Sequence, residues 1–597
     1  MNLLSPPGKK VARKSLTIQR AREFTEFLVV AGGNVFAKLA EVRKRDEPPA
    51  EIVVFDVAVE RPQKCVHDIR KSERIAVVFS PNDESQPEVL ALRGDFPQAP
   101  HINSRETEFP RSLCLYDQPY EDMRLTWTPS NFLHRIRFWL ERTATGNLHG
   151  EDQPLAPLIF GSGATLIVPA DFAITGSAQN TLLDVFMLAK KPFILYAKHP
   201  TKNAAQEPDH VAASFSCAPQ THGVIRHVPT NLRELDSLCS DAGLPLVDEL
   251  TKAIRAWHKD KPVPEVLKAG LIILLLLHKK RKENGAIERV ETRAFLTFDS
   301  VQDVGVALGA MESSGGFSGA IIGNQRPKDS ELEKVGILQA DIVNAISPDT
   351  AAMLNGIEPS AQKITAIGMG TIGSQVASNL FRAGYGRWTL IDDDTLLPHN
   401  CARHFLGNWA LGINKATAMA SLANKLFDSE EMAQALTVNV LKPGKAREQV
   451  AKALSDAEVV MDFSASVAVS RHLAHRDIQA RTISAYMTPK GDGLIVAAED
   501  AKRTVRLDWL EMLHYRQVLN QPELRKSLLP NDDRVRYGNA CRDVSSQLSQ
   551  DDAALWSAIA SKSVKQMNND DSSALRIVTQ NEDGSVSRHS AEVFEPL

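Results

Sequence analysis

ITAIGMGTIGSQVASNLFRAGYGRWTLIDDDTLLPHNCARHFLGNWALGINK, residues Ile364 to Lys415, decides the fold of the C-terminal part of this chain. A buried strand, KITAIGMG, runs into a helix, SQVASNLFRAG, and a second strand, RWTLIDDD, follows. That βαβ order predicts a parallel, Rossmann-like sheet. Gly368-Met369-Gly370-Thr371-Ile372-Gly373 is a GxGxxG turn between strand and helix. Such glycines let backbone approach a phosphate, and the helix N-terminus offers N–H groups and a positive dipole end. Alone the turn fits a dinucleotide enzyme, an ATP enzyme or a plain strand–helix turn. Asp392 follows Gly373 by 19 residues, which suits an acceptor for ribose hydroxyls. Asp392 and Asp394 project to one side of an extended strand and Asp393 to the other. Their mutual repulsion favours a ribose or Mg²⁺ between them, against the alternative of a solvated turn. Asn400, Arg403 and Lys415 add the cations a triphosphate needs, Arg as a planar fork and Lys as a point charge. Lys415 opens the helix KATAMASLANKLF, whose buried face is Met419, Leu422 and Leu426. The combined set points to ATP and carboxylate activation more than to hydride transfer.

These residues resemble the ThiF-like adenylation fold shared by ubiquitin-activating enzymes and bacterial sulfur-carrier activators. The glycine turn, the Asp-x-Asp strand end, the Asn-x-x-Arg step in HNCAR and the lysine of GINKA all match that pattern. The resemblance implies that Gly368, Gly370, Gly373, Asp392, Asp394, Asn400, Arg403, Lys415 and Asp462 bind ATP, with Mg²⁺ as cofactor. One departure stands out. Where the family carries an Asp-Asn pair after the next core strand, this chain has VVMDFSASVAVSR, with Ala465-Ser466 at those positions. The metal role is therefore expected to fall to Asp462 or Asp394.

With 597 residues the chain is too long for one core. Apolar residues make up 43% and charged residues 24%, and 69 basic against 73 acidic side chains leave a net charge of −4. No single-sign tail suggests a nucleic-acid coat or a polybasic membrane anchor. The N-terminus lacks the apolar stretch of a signal peptide. The run Leu271–Leu277 is too short to span a bilayer and reads as a buried helix. No nucleic-acid or membrane partner and a cytoplasmic, bacterial location are expected. The six cysteines, Cys65, Cys114, Cys217, Cys239, Cys401 and Cys541, form no CxxC pair, which argues against a zinc cage or a disulfide framework.

The predicted architecture is a multidomain α/β chain in three regions. Residues 1–150 read as an α+β domain. EIVVFDVAVE, RIAVVFS and EVLALRG form an antiparallel meander, followed by a helix that Thr128 caps, Pro129 opens and Gly146 ends, with Phe132, Ile136, Trp139 and Leu140 on its buried face. Residues 151–355 alternate strands and helices without a catalytic set. Residues 356–597 form the Rossmann-like domain.

Cys114 lies between His101-Ile102-Asn103 and Trp127-Thr128-Pro129. This resembles a ubiquitin-conjugating domain, with its His-Pro-Asn turn, its Cys-Leu and its Trp-x-Pro before a helix; isoleucine replaces the usual proline. A thioester carrier needs one accessible cysteine. Asn103 is placed to donate to the oxyanion formed when an amine attacks, with His101 beside it in the catalytic set. Without these flanks, Leu-Cys-Leu would read as a core thiol. Cys541, in the polar stretch RYGNACRDVSS beside Arg542, is the candidate for attack on an acyl-adenylate, and Cys401 reads as packing.

A conjugating-like domain joined to an activating-like domain resembles the fused ubiquitin-transferase-like enzymes of type II CBASS antiphage operons. That resemblance implies adenylation of a partner's C-terminus, a thioester at Cys541, transfer to Cys114 and amide formation on a target lysine or other amine. It implies a CD-NTase as the activated partner, a homodimer, and an inactive adenylation-like or dimerising role for 151–355. Three other readings stay open: a stand-alone sulfur-carrier or peptide adenylyltransferase, a nicotinamide-dependent oxidoreductase, and a non-catalytic scaffold.

Overall fold

The computed structural model describes the chain except residues 1–2, 31–32, 84, 104, 106, 117, 149–162, 173–181, 201–205, 222–226, 260–263, 282–283, 315–316, 321–326, 430, 540–543, 592 and 594–597. Backbone contacts divide it into two units, Met1–Ala345 and Ile346–Leu597. Among the described residues no helix is long and apolar enough to cross a membrane.

The first unit begins with the expected meander. Strands Ala37–Arg45, Ala50–Ala58, Ser72–Phe79 and Glu88–Ala91 pair in sequence, all antiparallel. Period-2 burial sends Val53, Phe55 and Val57 into the core with Phe24 of the helix Gln19–Val30. The helix Pro129–Thr145 closes the same face. Thr128 caps it by accepting from Asn131 N, and Gly146 ends it at φ 74°, where a side chain would be strained. Phe132, Ile136 and Leu140 are fully buried and Trp139 nearly so.

Leu271–Leu277 is not a helix. It lies in the strand Gly270–Lys280, and both of its faces are covered. Strands 164–168, 182–190, 193–198, 210–216, 270–280, 287–300 and 337–344 pair into a ring in which each has two neighbours. Alternate residues of these strands, including Leu166, Leu183, Leu195, Ala212, Leu274 and Leu296, form one inner cluster. The intervening Leu271, Ile273, Leu275 and Leu277 pack outward with residues of the helices Leu232–Asp241 and Leu246–Lys259. A strand buried on both sides loses its alternation, so its run of apolar residues looks helical. The ring mixes parallel and antiparallel pairings, and so among the described residues this region is not a second doubly wound, adenylation-like sheet.

The elements of the second unit are numbered within it. They are α1 (Pro348–Leu354), β1 (Ser360–Ile367), α2 (Thr371–Arg382), β2 (Tyr385–Ile391), α3 (Lys415–Leu426), β3 (Ala433–Leu436), α4 (Arg447–Asp456), β4 (Val459–Asp462), α5 (Val467–Ala474), β5 (Arg481–Met487), β6 (Gly493–Ala498), α6 (Leu507–Asn520), β7 (Arg534–Arg536), β8 (Val544–Ser546), α7 (Gln550–Asn568), β9 (Ala574–Gln580) and β10 (Val586–Ala591). Eight strands form one sheet in the order 3-2-1-4-5-6-9-10, the first five parallel and the last three antiparallel. The chain leaves β1 toward β2 and later returns on the other side as β4. The strand order therefore reverses between β1 and β4, where doubly wound sheets open a crevice at their C-terminal ends.

Candidate functional site

Beyond β1 the chain turns through Gly368 at φ 85°. A Cβ there would stand 2.6 Å from Ser464 Cα, and one at Gly373 would stand 1.9 Å from the Gly368 carbonyl oxygen. A Cβ at Gly370 would meet nothing within 4 Å. Two glycines thus allow close packing, and the middle one faces open space at the start of α2. Gly370 gives that helix no side-chain cap, which leaves first-turn N–H groups for a phosphate.

The turn is held by groups downstream of it. Asp392 Oδ2 accepts from Met369 N at 2.6 Å and Oδ1 from Asp394 N at 2.8 Å. Burial pushes the Asp392 carboxyl up, against these hydrogen bonds. His404 Nδ1 accepts from Leu406 N at 3.0 Å, so Nε2 carries the proton and donates to the Met369 carbonyl at 2.7 Å. Burial lowers the His404 pKa to about 4, so the ring is neutral near pH 7. Sequence reading missed His404, since nothing local marks it.

Asp392, Asp393 and Asp394 can place one oxygen each within 4.8 Å of one another. These hard donors fit Mg²⁺. Lys415 Nζ lies 3.0 Å from Asp394 Oδ2 although the residue is only 7% exposed. Asn414 places it: Oδ1 caps α3 at Thr417 N, and Nδ2 donates to the carbonyls of Asp392 and Asp394. Asn414 also escaped the sequence reading, although an Asn directly before a helix is a cap signal. Gly368, Gly370, Asp392, Asp394 and Lys415 line one cleft of about 270 Å³ together with Asn439, Leu441, Ser464 and Ser466.

Asn400 and Arg403 point elsewhere. Asn400 Oδ1 accepts from Leu397 N at 2.9 Å and closes its own short turn. Arg403 donates to Ser545 Oγ at 2.7 Å and to the Leu548 carbonyl at 3.4 Å. The His399 ring stacks on Tyr537, centroids 3.5 Å apart and planes 12° apart. These contacts grip both sides of the β7–β8 hairpin, in which Arg534–Arg536 pairs with Val544–Ser546. Cys541 lies in the sequence between those strands and outside the described residues. Cys401 is partly buried and packs against the main core.

Asp462 is 1% exposed at the end of β4 and is not among the residues lining the cleft. It accepts from Ser464 N at 3.0 Å, Ser464 Oγ at 2.6 Å, Ser470 Oγ at 2.6 Å and Ser484 Oγ at 3.4 Å. Burial raises its pKa and the serine hydrogen bonds oppose that. The carboxylate is saturated by serines, unlike the open aspartate cluster at the end of β2. Ala465, at the position of the missing aspartate, sits at φ 53°, a left-handed conformation that costs a Cβ-bearing residue strain.

In the first unit Cys114 N donates to the His101 carbonyl at 2.9 Å, placing these two residues opposite each other. Cys114 is partly exposed, and Sγ lies 3.8 Å from the Tyr116 carbonyl. His101 has φ 58°. Asn103 pairs with Ser112 across the strands, and its Nδ2 lies 3.0 Å from Ser112 Oγ and 3.4 Å from the Leu113 carbonyl. His101 is thus the flanking residue nearest Cys114 along the backbone, and Asn103 stands two pairs further on.

Comparison with known proteins agrees with both folds. Residues 357–486 match the ThiF family, and residues 46–179 match prokaryotic E2 family A. The ATP-dependent ubiquitin transferase-like protein Cap2 of Vibrio cholerae is 32% identical over 171 residues, 27% of this chain and 26% of that protein. The Cap2 of Pseudomonas aeruginosa is 40% identical over 92 residues, 15% of this chain and 17% of that protein. The matched parts span about a quarter or less of these relatives. Among solved structures, Escherichia coli MccB with ATP is similar at 15% identity and a TM-score of 0.25, over 38% of this chain and 63% of that one. The ThiF segment holds the crevice at the strand-order reversal, and the E2-like segment holds Cys114.

Proposed function

We propose that this chain is an ATP-dependent, ubiquitin-transferase-like enzyme that activates the C-terminal carboxylate of a partner protein and conjugates it to an amine. The observation that carries this reading is the convergence of Gly370, Asp392, Asp394 and Lys415 on one cleft at the reversal of strand order. Open space at Gly370 and the start of α2 suit the phosphates, and Asp392 suits the ribose. Lys415, nearly buried, offers a fixed charge to the phosphate oxygens. Mg²⁺ held by Asp392–Asp394 would neutralise charge on the departing pyrophosphate.

A carboxylate oxygen of the partner attacks the α-phosphorus, and the bond to the β-phosphate breaks to release pyrophosphate. The Cys541 thiolate then attacks the acyl carbon and AMP leaves. The Cys114 thiolate takes the acyl group by thioester exchange, returning Cys541 as thiolate. Finally an amine attacks, loses a proton, and the Cys114 thiolate departs, leaving an amide. Arg403, His399 and Tyr537 position the hairpin that carries Cys541. By resemblance the partner is a CD-NTase and the setting antiviral defence in the bacterial cytoplasm, with the enzyme as a homodimer.

The test is a non-reducing gel of enzyme, ATP and a candidate CD-NTase. We expect a reducible adduct that Cys541→Ala abolishes and Cys114→Ala leaves trapped at Cys541. An adduct surviving in the double variant would exclude the relay. Conjugation that proceeds in Cys114→Ala would instead favour a plain adenylyltransferase.

A further inference from the structure

A second cavity, of about 370 Å³, lies across Asp462 from the nucleotide cleft. The two clefts share Ser466. Ser464, on the nucleotide side, and Ser470 and Ser484, on the other, all donate to Asp462, so one carboxylate fixes the wall between them. The cavity floor is apolar: Ile495 and Ala497 from β6, Leu575 from β9, Leu507 and Leu510 from α6. Among the described residues no lysine or arginine lines it. Its one carboxylate among the described residues, Glu511, is already engaged by Arg471 Nε and Nη2 at 3.0 Å and by the Tyr515 hydroxyl at 2.9 Å. His514, 2% exposed, also lines the cavity, and its Nε2 has no hydrogen-bond partner among the described residues.

We propose that this cavity seats a bulky apolar or aromatic side chain at, or within about two residues of, the C-terminus of the protein being activated; this rests on the adenylation reading above. Asp392, the acceptor that suits a ribose, lines the nucleotide cleft together with Ser464 and Ser466. Ser466 lines both cavities, so an acyl group formed on a phosphate in the first cleft has the second cavity as its neighbour. An extended chain advances about 3.3 Å per residue, so only the last residues reach it. The engaged Glu511 gives no free anion to a basic side chain, and among the described residues the lining gives no cation to an acidic one. An apolar body with one polar atom directed at His514, as in tyrosine, matches both the floor and the orphan nitrogen.

The test uses the full-length chain and short fluorescein-labelled peptides that differ only in carrying Gly, Phe, Tyr, Lys or Asp at each of the last three positions. Peptide binding is read by anisotropy, activation by ATP–pyrophosphate exchange, and ATP binding by calorimetry. Val467, 52% exposed at the cavity rim, accepts Val467→Trp without disturbing the core. We expect Phe and Tyr peptides to bind about tenfold tighter than the Gly, Lys or Asp peptides, a difference of about 1.4 kcal/mol. Val467→Trp should erase that preference and leave ATP affinity intact, and His514→Leu should weaken the Tyr peptide more than the Phe peptide. Equal binding across the panel, or a preference untouched by Val467→Trp, overturns the pocket assignment while exchange continues. Weakened ATP binding in Val467→Trp would give the cavity to the nucleotide and also overturn it. Exchange with none of the peptides, while ATP still binds, would overturn the adenylation reading itself.

Discussion

A Cβ at Gly368 would strike backbone, whereas one at Gly370 would enter open space. The two positions therefore answer differently to alanine. Gly368→Ala meets Ser464 Cα at 2.6 Å and imposes φ 85° on a Cβ-bearing residue, so it should cost about 1–3 kcal/mol, visible as a lower Tm. Gly370→Ala should leave Tm unchanged and weaken ATP binding, as calorimetry would show. Equal Tm losses would mean that the turn is only structural. His404 supplies a second residue-scale prediction. Its folded pKa of about 4 lies below the ordinary 6.5, so the unfolded chain takes up the proton first. Its contribution is complete above about pH 6.5, fades as pH falls to about 4, and is flat below, amounting to about 3 kcal/mol. Urea unfolding across that range should show a shallower pH dependence for His404→Gln, which keeps a donor for Met369 without titrating. The glycines, Asp392 and Lys415 were legible because their spacing is local. His404 was not, because its partner Met369 is 35 residues away.

Elements announce themselves when one face is buried and their ends carry caps. The helix Pro129–Thr145 met both conditions, whereas the β1–α2–β2 unit was legible from its glycine turn, since α2 carries no side-chain cap. The strand Gly270–Lys280 met neither: its core runs through both faces, and a ring closed by residues 210–216 cannot be seen from 271–277. Asp462 failed for a similar reason, since the serines that saturate it include Ser484 from the neighbouring strand. Arg403 has the spacing of a nucleotide ligand, yet its two terminal nitrogens donate to Ser545 and the Leu548 carbonyl. This ties the turn holding Asn400 to the β7–β8 hairpin. Tyr537→Ala removes the stack on His399 and should loosen that hairpin without touching the cleft. We expect ATP–pyrophosphate exchange to persist and the rate of covalent adduct formation at Cys541 to fall about tenfold, read from single-turnover gels. Loss of both together would mean that the stack supports the cleft instead of the cysteine.

At the scale of the whole chain, the two cysteines lie in separate contact units, Cys114 in Met1–Ala345 and Cys541 in the sequence of Ile346–Leu597. Each unit has its own apolar cores, with the ring and the meander in the first and the eight-stranded sheet in the second. On the proposed relay, covalent continuity would be a kinetic device: it would keep the acceptor thiol at an effective concentration in the millimolar range, on the order of that for short linkers, whatever the dilution of the enzyme. A protease site placed between Ala345 and Ile346 tests this on the intact, folded chain. Before cleavage, transfer from Cys541 to Cys114 should be independent of enzyme concentration. After cleavage, pyrophosphate exchange should continue at the same rate, because every residue lining the nucleotide cleft lies in the second unit. Transfer to Cys114 should then slow as the sample is diluted from micromolar to nanomolar, and conjugate formation with it. Transfer that stays concentration-independent after cleavage would mean that the units remain associated without the peptide bond, and that the fusion is not what sets the relay's rate.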